Sequence, residues 1–88
     1  MTLKQIEYFQ TVCAKGNISA AAEALFISRS VVSRAIAELE EEFGTQIFTR
    51  SKNGVVLTES GTILAQLFET FTASYATAKG RIGRLRTQ

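Results

Sequence analysis

The sequence predicts a mainly α-helical fold with three short helices, a two-stranded hairpin and one long C-terminal helix. Three observations carry that prediction. Apolar residues recur every three or four positions over residues 3–15 and along 28–43, and an alanine-rich helical run lies between them at 19–26. Two β-forming runs, Ile47-Phe48 and Val55-Val56-Leu57, flank Asn53-Gly54. From Thr58 to about Leu85 there is no proline, and a heptad spacing holds for three repeats.

Each element has its own signals. In the first helix, Leu3, Ile6, Phe9 and Val12/Cys13 form the apolar face, and Gly16-Asn17 ends it. Cys13 reads as a core residue on that face. The second helix is "SAAAEALF", with Ser19 as its expected N-cap and a run of alanines that lets a neighbouring helix approach closely. After the turn "FIS", Ser28 caps a third helix that Gly44 stops. At about 100° per residue, Val32, Ile36, Leu39 and Phe43 share its core face, while Ser30, Arg34, Ala37, Glu38 and Glu41 lie opposite. Asn-Gly is a strong hairpin signal because both residues tolerate positive φ, so a hairpin over 46–57 with Lys52 and Asn53 near its tip follows. Thr58 can cap the last helix, whose seam is Leu64, Phe68, Phe71, Tyr75, Ala78, Ile82 and Leu85. Gly80 and Gly83 weaken its end, so fraying after about Lys79 is expected.

Composition excludes several function classes. The chain has 88 residues, no histidine and one cysteine. A Ser-His-Asp or Cys-His catalytic arrangement lacks its base. No Cys/His cluster offers a zinc site, and Cys13 has no internal disulfide partner. No apolar run reaches the ~18 residues of a membrane span, and the N-terminus lacks a signal core, so a cytoplasmic location is the expectation. Net charge is only +2. Residues 1–57 hold six basic and six acidic groups, so any affinity for nucleic acid must come from where the charges lie.

The third helix divides its charges. "SRSVVSRAIAELEEEFG" begins with Ser28, Arg29, Ser30, Ser33 and Arg34 and ends with Glu38, Glu40, Glu41 and Glu42. Residues 18–37 read as helix, tight turn and capped helix, the order of a helix-turn-helix. A major groove about 12 Å wide admits one such helix if its leading side chains are small or can hydrogen-bond. Arg29 and Arg34 can donate to guanine edges or phosphates, and the acidic end would point away from DNA. The hairpin that follows, with Arg50 and Lys52, completes the order of a winged helix-turn-helix. The heptad seam along a helix of about 42 Å is too long to bury within so small a domain and asks for a second copy.

The run from Leu3 to about Gly61 resembles the DNA-binding domain of LysR-type transcriptional regulators. The motifs are "L..IEYFQTV", "G.ISAAAEALFIS", "VSRAIAELEEEFGTQIFTRS" and "VVLTESG". The resemblance implies a bacterial, cytoplasmic regulator in which residues 1–58 are a winged helix-turn-helix and 59–88 a linker helix that dimerises. It implies promoter DNA as partner, and a homodimer that forms tetramers when full length. It maps the reading positions to Arg29, Ser30, Val31, Ser33 and Arg34, and a wing contact to Arg50, Lys52 and Asn53. The family often has glutamine at position 29 and a small residue or proline at 31, so Arg29 could move base preference toward guanine. Family members also carry a C-terminal effector-binding domain. The resemblance therefore implies that this chain is a fragment with no cofactor of its own, a small-molecule effector belonging to the absent part. An enzyme is not expected. The alternative in a different class is a protein-interaction module, for which the neutral balance of residues 1–57 argues.

Overall fold

The structure, a computed structural model, describes residues 1–87. Gln88, the last residue of the expected linker helix, lies outside the described residues. The elements are α1 (Leu3–Lys15), α2 (Ile18–Leu25), α3 (Arg29–Phe43), β1 (Phe48–Ser51), β2 (Gly54–Leu57) and α4 (Glu59–Arg86). The order is the one expected: three helices, a wing and a long helix.

Local chemistry fixes the helix ends. Thr2 and Gln5 form a capping box at the start of α1, and Gly16 stops the helix at φ +80°. Asn17, not Ser19, caps α2, accepting the Ala20 N–H at 2.6 Å. Ser19 lies inside the helix, because the cap falls on the residue directly after the Gly16 reversal. Ser28 caps α3 and Gly44 ends it in the left-handed region. Thr58 caps α4 by accepting the Gly61 N–H at 3.0 Å, while its own hydroxyl donates to the Gln46 carbonyl at 2.7 Å.

The core lies between α1, α2, α3 and the start of α4. Phe9, Val12, Ala21, Val32, Leu39, Ile47 and Phe68 are wholly buried in it. Phe9 is its hub, with its ring 5.3 Å from that of Phe48 and 5.2 Å, edge-on, from that of Phe68. One side chain thus ties the wing and the long helix to the helical bundle. Three positions expected on apolar faces lie elsewhere, the first being Leu3, 53% exposed at the start of α1. Phe43 is 40% exposed, because the core ends at Leu39 and the last turn of α3 runs past it. Cys13 is exposed beside the buried Val12, although partial desolvation still pushes its thiol above the ordinary value.

The strands pair antiparallel, Phe48 with Leu57 through Ser51 with Gly54, leaving Lys52-Asn53 as a two-residue loop. Of Asn53 and Gly54, only Gly54 has positive φ, at +145°. The reason is tertiary. The Val55 N–H donates to the Gly16 carbonyl at 2.9 Å, and a Cβ on Gly54 would sit 2.1 Å from that same oxygen. The wing is therefore docked on the α1–α2 turn through two glycines.

The first turns of α4 pack on the core through Gly61, Leu64 and Phe68, the next turn runs beside α1 with Gln10 donating to the Thr72 hydroxyl at 3.2 Å, and the remainder extends beyond. The helix continues to Arg86 rather than fraying after Lys79. Overall extents of 53 × 27 × 19 Å reflect its protrusion.

Candidate nucleic-acid interface

The N-terminal half of α3 is held from behind and open in front. Val32, Ala35, Ile36 and Leu39 are buried, which fixes the roll of the helix. Arg29, Ser30, Val31 and Arg34 are exposed, and Ser33 is half-buried. The Ser28 hydroxyl accepts the Val31 N–H at 3.4 Å and lies 3.0 Å from the Ser30 hydroxyl. At helical spacing the open surface divides into two stripes. Arg29, Ser33 and Ala37 run along the side facing the wing. Ser30 and Arg34 form the other stripe.

Two concavities lie beside the wing, one against α3 and one against the start of α2. The larger, about 390 Å³, runs between Ser33, Ile36 and Ala37 on one side and Phe48, Thr49 and Arg50 on the other. The smaller, about 280 Å³, is a notch lined by Asn17, Ile18 and Ser19 of the α2 start, by Arg29, and by Arg50, Ser51 and Asn53 to Val55 of the wing. The structure therefore brings Arg29, Arg50 and Asn53 together. Lys52 lines neither concavity and sits in the loop at the wing tip. Asn17, Ser19 and Ser51 carry no sign in the sequence of belonging to this surface. The Gly16–Val55 hydrogen bond that brings α2 beside the wing is a long-range contact without a local signature.

The acidic end of α3 is more than a solvated face. Glu40 is half-buried, and its Oε2 accepts the Ile47 N–H at 2.9 Å, closing the loop into β1. Glu38 accepts from the Gln5 amide at 3.0 Å. Glu42 holds the N-terminal ammonium at 2.6 Å, the one ion pair among the described residues. Three of the four carboxylates thus anchor neighbouring segments at the end of α3 remote from Arg29 and Arg34.

On α4 the expected seam changes at its start. Leu64 and Phe68, read as the first interface positions, are 5% and 0% exposed and belong to the core of their own domain. Ile63 and Leu67, one residue earlier, are the apolar side chains that reach solvent there. Phe71, Tyr75, Ala78, Ile82 and Leu85 lie outside that core. Phe71 and Tyr75 stack with ring centres 6.0 Å apart, and the Lys79 ammonium lies 5.8 Å from the Tyr75 ring. Among the described residues, no helix is long and apolar enough to cross a membrane.

Comparison with known proteins decides the family. Residues 3–62 match the family described as "Bacterial regulatory helix-turn-helix protein, lysR family". The chain belongs to the LysR family. LysR relatives include the HTH-type transcriptional regulator ClcR of Pseudomonas putida, 38% identical over 98% of this chain and 32% of its own length. Another is the HTH-type transcriptional regulator GalR, from a strain of the same species, 47% identical over 70% of this chain and 16% of its own length. This chain therefore spans at most about a third of either relative. Among solved LysR structures, the BenM_DBD/catB site 1 DNA complex superposes with a TM-score of 0.94 at 27% identity, covering 100% of this chain and 99% of that one. The CbnR_DBD-DNA complex does so with a TM-score of 0.86 at 28% identity and full coverage of both chains.

Proposed function

We propose that this chain is the sequence-specific DNA-binding part of a bacterial transcriptional regulator that acts in the cytoplasm and is not itself an enzyme. Residues 1–58 are the winged helix-turn-helix, and 59–88 the linker segment. The observation that carries the reading is the presentation of α3. Its rear face is buried, while Arg29, Ser30, Val31 and Arg34 stand open at its capped N-terminal half. That half enters the major groove, where short hydroxyls permit close approach and Arg34 can fork onto a guanine edge. The wing, through Arg50, Lys52 and Asn53, lies on the adjacent backbone or minor groove. The exposed remainder of the α4 seam joins two copies, so that the dimer reads two half-sites. The regulatory names of the LysR relatives and the DNA in the two superposed structures support this reading.

The interaction-module alternative draws on the neutral sum of residues 1–57. The structure weakens it by segregating the charges. The glutamates at one end of α3 are tied to the N-terminus and to the loop before β1, leaving a basic and hydroxylic surface at the other end. Titration of duplex binding against salt tests the proposal. Affinity should fall steeply as salt rises, and Arg34→Ala should weaken binding by about 1–3 kcal/mol. Undetectable binding at low salt would favour the interaction module instead.

A further inference from the structure

The notch between the start of α2, Arg29 of α3 and the wing has the chemistry of an anion site. Two arginines from different elements, Arg29 of α3 and Arg50 of β1, line it. Neither has a carboxylate partner within ion-pair distance among the described residues, and no acidic residue lines the notch. The remaining lining includes the polar residues Asn17, Ser19, Ser51 and Asn53 beside Ile18, Gly54 and Val55. Like charges brought together without a counter-charge repel, and an anion seated between them removes that cost. Arginine forks suit the planar pairs of oxygens that a phosphate offers. The wing side of the notch is also fixed against the α1–α2 turn that forms its α2 side. Val55 is hydrogen-bonded to Gly16 at 2.9 Å, and Gly54 packs too close to the Gly16 carbonyl to carry a side chain.

We propose that this notch seats one phosphodiester of the DNA backbone, held jointly by Arg29 and Arg50, so that a single phosphate sets the position of both the reading helix and the wing. The inference rests on the DNA-binding reading and refines it. Arg29 becomes a positioning residue directed at the backbone, and base readout falls to Ser30, Ser33 and Arg34. An arginine at position 29 then strengthens anchoring and does not by itself impose a guanine preference.

The test uses a duplex that the chain binds, prepared with one phosphate at a time replaced by a neutral methylphosphonate. For the unaltered chain, one position within each half-site should lower affinity about tenfold, the scale of a lost hydrogen bond to a charged group. Arg29→Ala and Arg50→Ala should each abolish sensitivity at that same position, whereas Arg34→Ala should bind more weakly yet retain it. Both arginines are exposed, so both variants should melt as the unaltered chain does. Loss of sensitivity at two different phosphates would overturn the shared site while leaving DNA binding intact. So would an Arg29→Ala variant that keeps the full phosphate profile and relaxes preference at one base pair. If the unaltered chain binds no duplex, the underlying reading fails and the notch proposal falls with it.

Discussion

Replacing Gly61 with alanine separates helix propensity from tertiary packing by the sign of its effect. Gly61 lies in the first turn of α4, where alanine should by propensity alone stabilise the helix by about 1 kcal/mol. The structure requires the opposite. A Cβ there would stand 2.0 Å from the Ile47 carbonyl oxygen, 3.0 Å from its carbon and 2.9 Å from Leu57 Cδ2. Two of those atoms are backbone, so no rotamer change relieves the contact. To restore ordinary separations α4 must retreat by roughly 1 Å or more. That movement strains the Thr58 bonds to Gln46 and Ile47 and lifts Leu64 and Phe68, the side chains through which α4 meets the core. Overpacking of this kind costs about 1–3 kcal/mol, and the loosened burial adds to it. A net loss of about 2 kcal/mol after the propensity gain corresponds to a fall in Tm of about 8–16 °C for a domain of this size. Far-UV circular dichroism during thermal and urea unfolding reads it directly. Gly83→Ala is the companion variant, since nothing lies within 4 Å of its added carbon, and it should raise helicity. A Gly61→Ala chain melting at or above the unaltered one would refute the close approach of α4 to Ile47.

Other perturbations probe the remaining assignments. Asn17→Ala should destabilise the chain by about 1 kcal/mol in urea titration through loss of the α2 cap, whereas Ser19→Ala should change little. Phe71→Asp should leave the fold intact in circular dichroism and shift sedimentation to monomer, while Phe68→Asp should unfold the domain. A dimeric Phe71→Asp would remove α4 from the interface. Phe26 is 94% exposed and sits at φ +59°, the only non-glycine residue in the left-handed region among those described. Phe26→Gly should therefore raise stability by about 1 kcal/mol, read as a higher urea midpoint.

The periodic and capped parts of this fold were legible in the sequence. Helix spacing together with Ser28, Gly16, Gly44 and Thr58 set the starts of the four helices and the ends of the first three to within about a residue. The short open surface of α3 also followed from periodicity, because the buried face of a helix defines its exposed one. Contacts between distant segments were not legible. Ser19 and Asn17 are equally good cap types, and only the Gly16 reversal chooses between them. Leu64 and Ile63 are adjacent apolar residues, and the approach of α4 to Phe9 decides which faces inward. Glu40 reads as one more surface acid until the loop before Ile47 folds back onto it. The notch required α2, α3 and the wing to be placed together, which no local pattern encodes.

Whether the open N-terminal half of α3 reads duplex sequence is decided by selecting bound molecules from a random duplex library with this chain. A sequence with two related half-sites should be enriched. Preference at defined base pairs should be lost when the selection is repeated with Arg34→Ala. Recovery of an unenriched library by the folded chain at low salt would show that α3 reads no sequence.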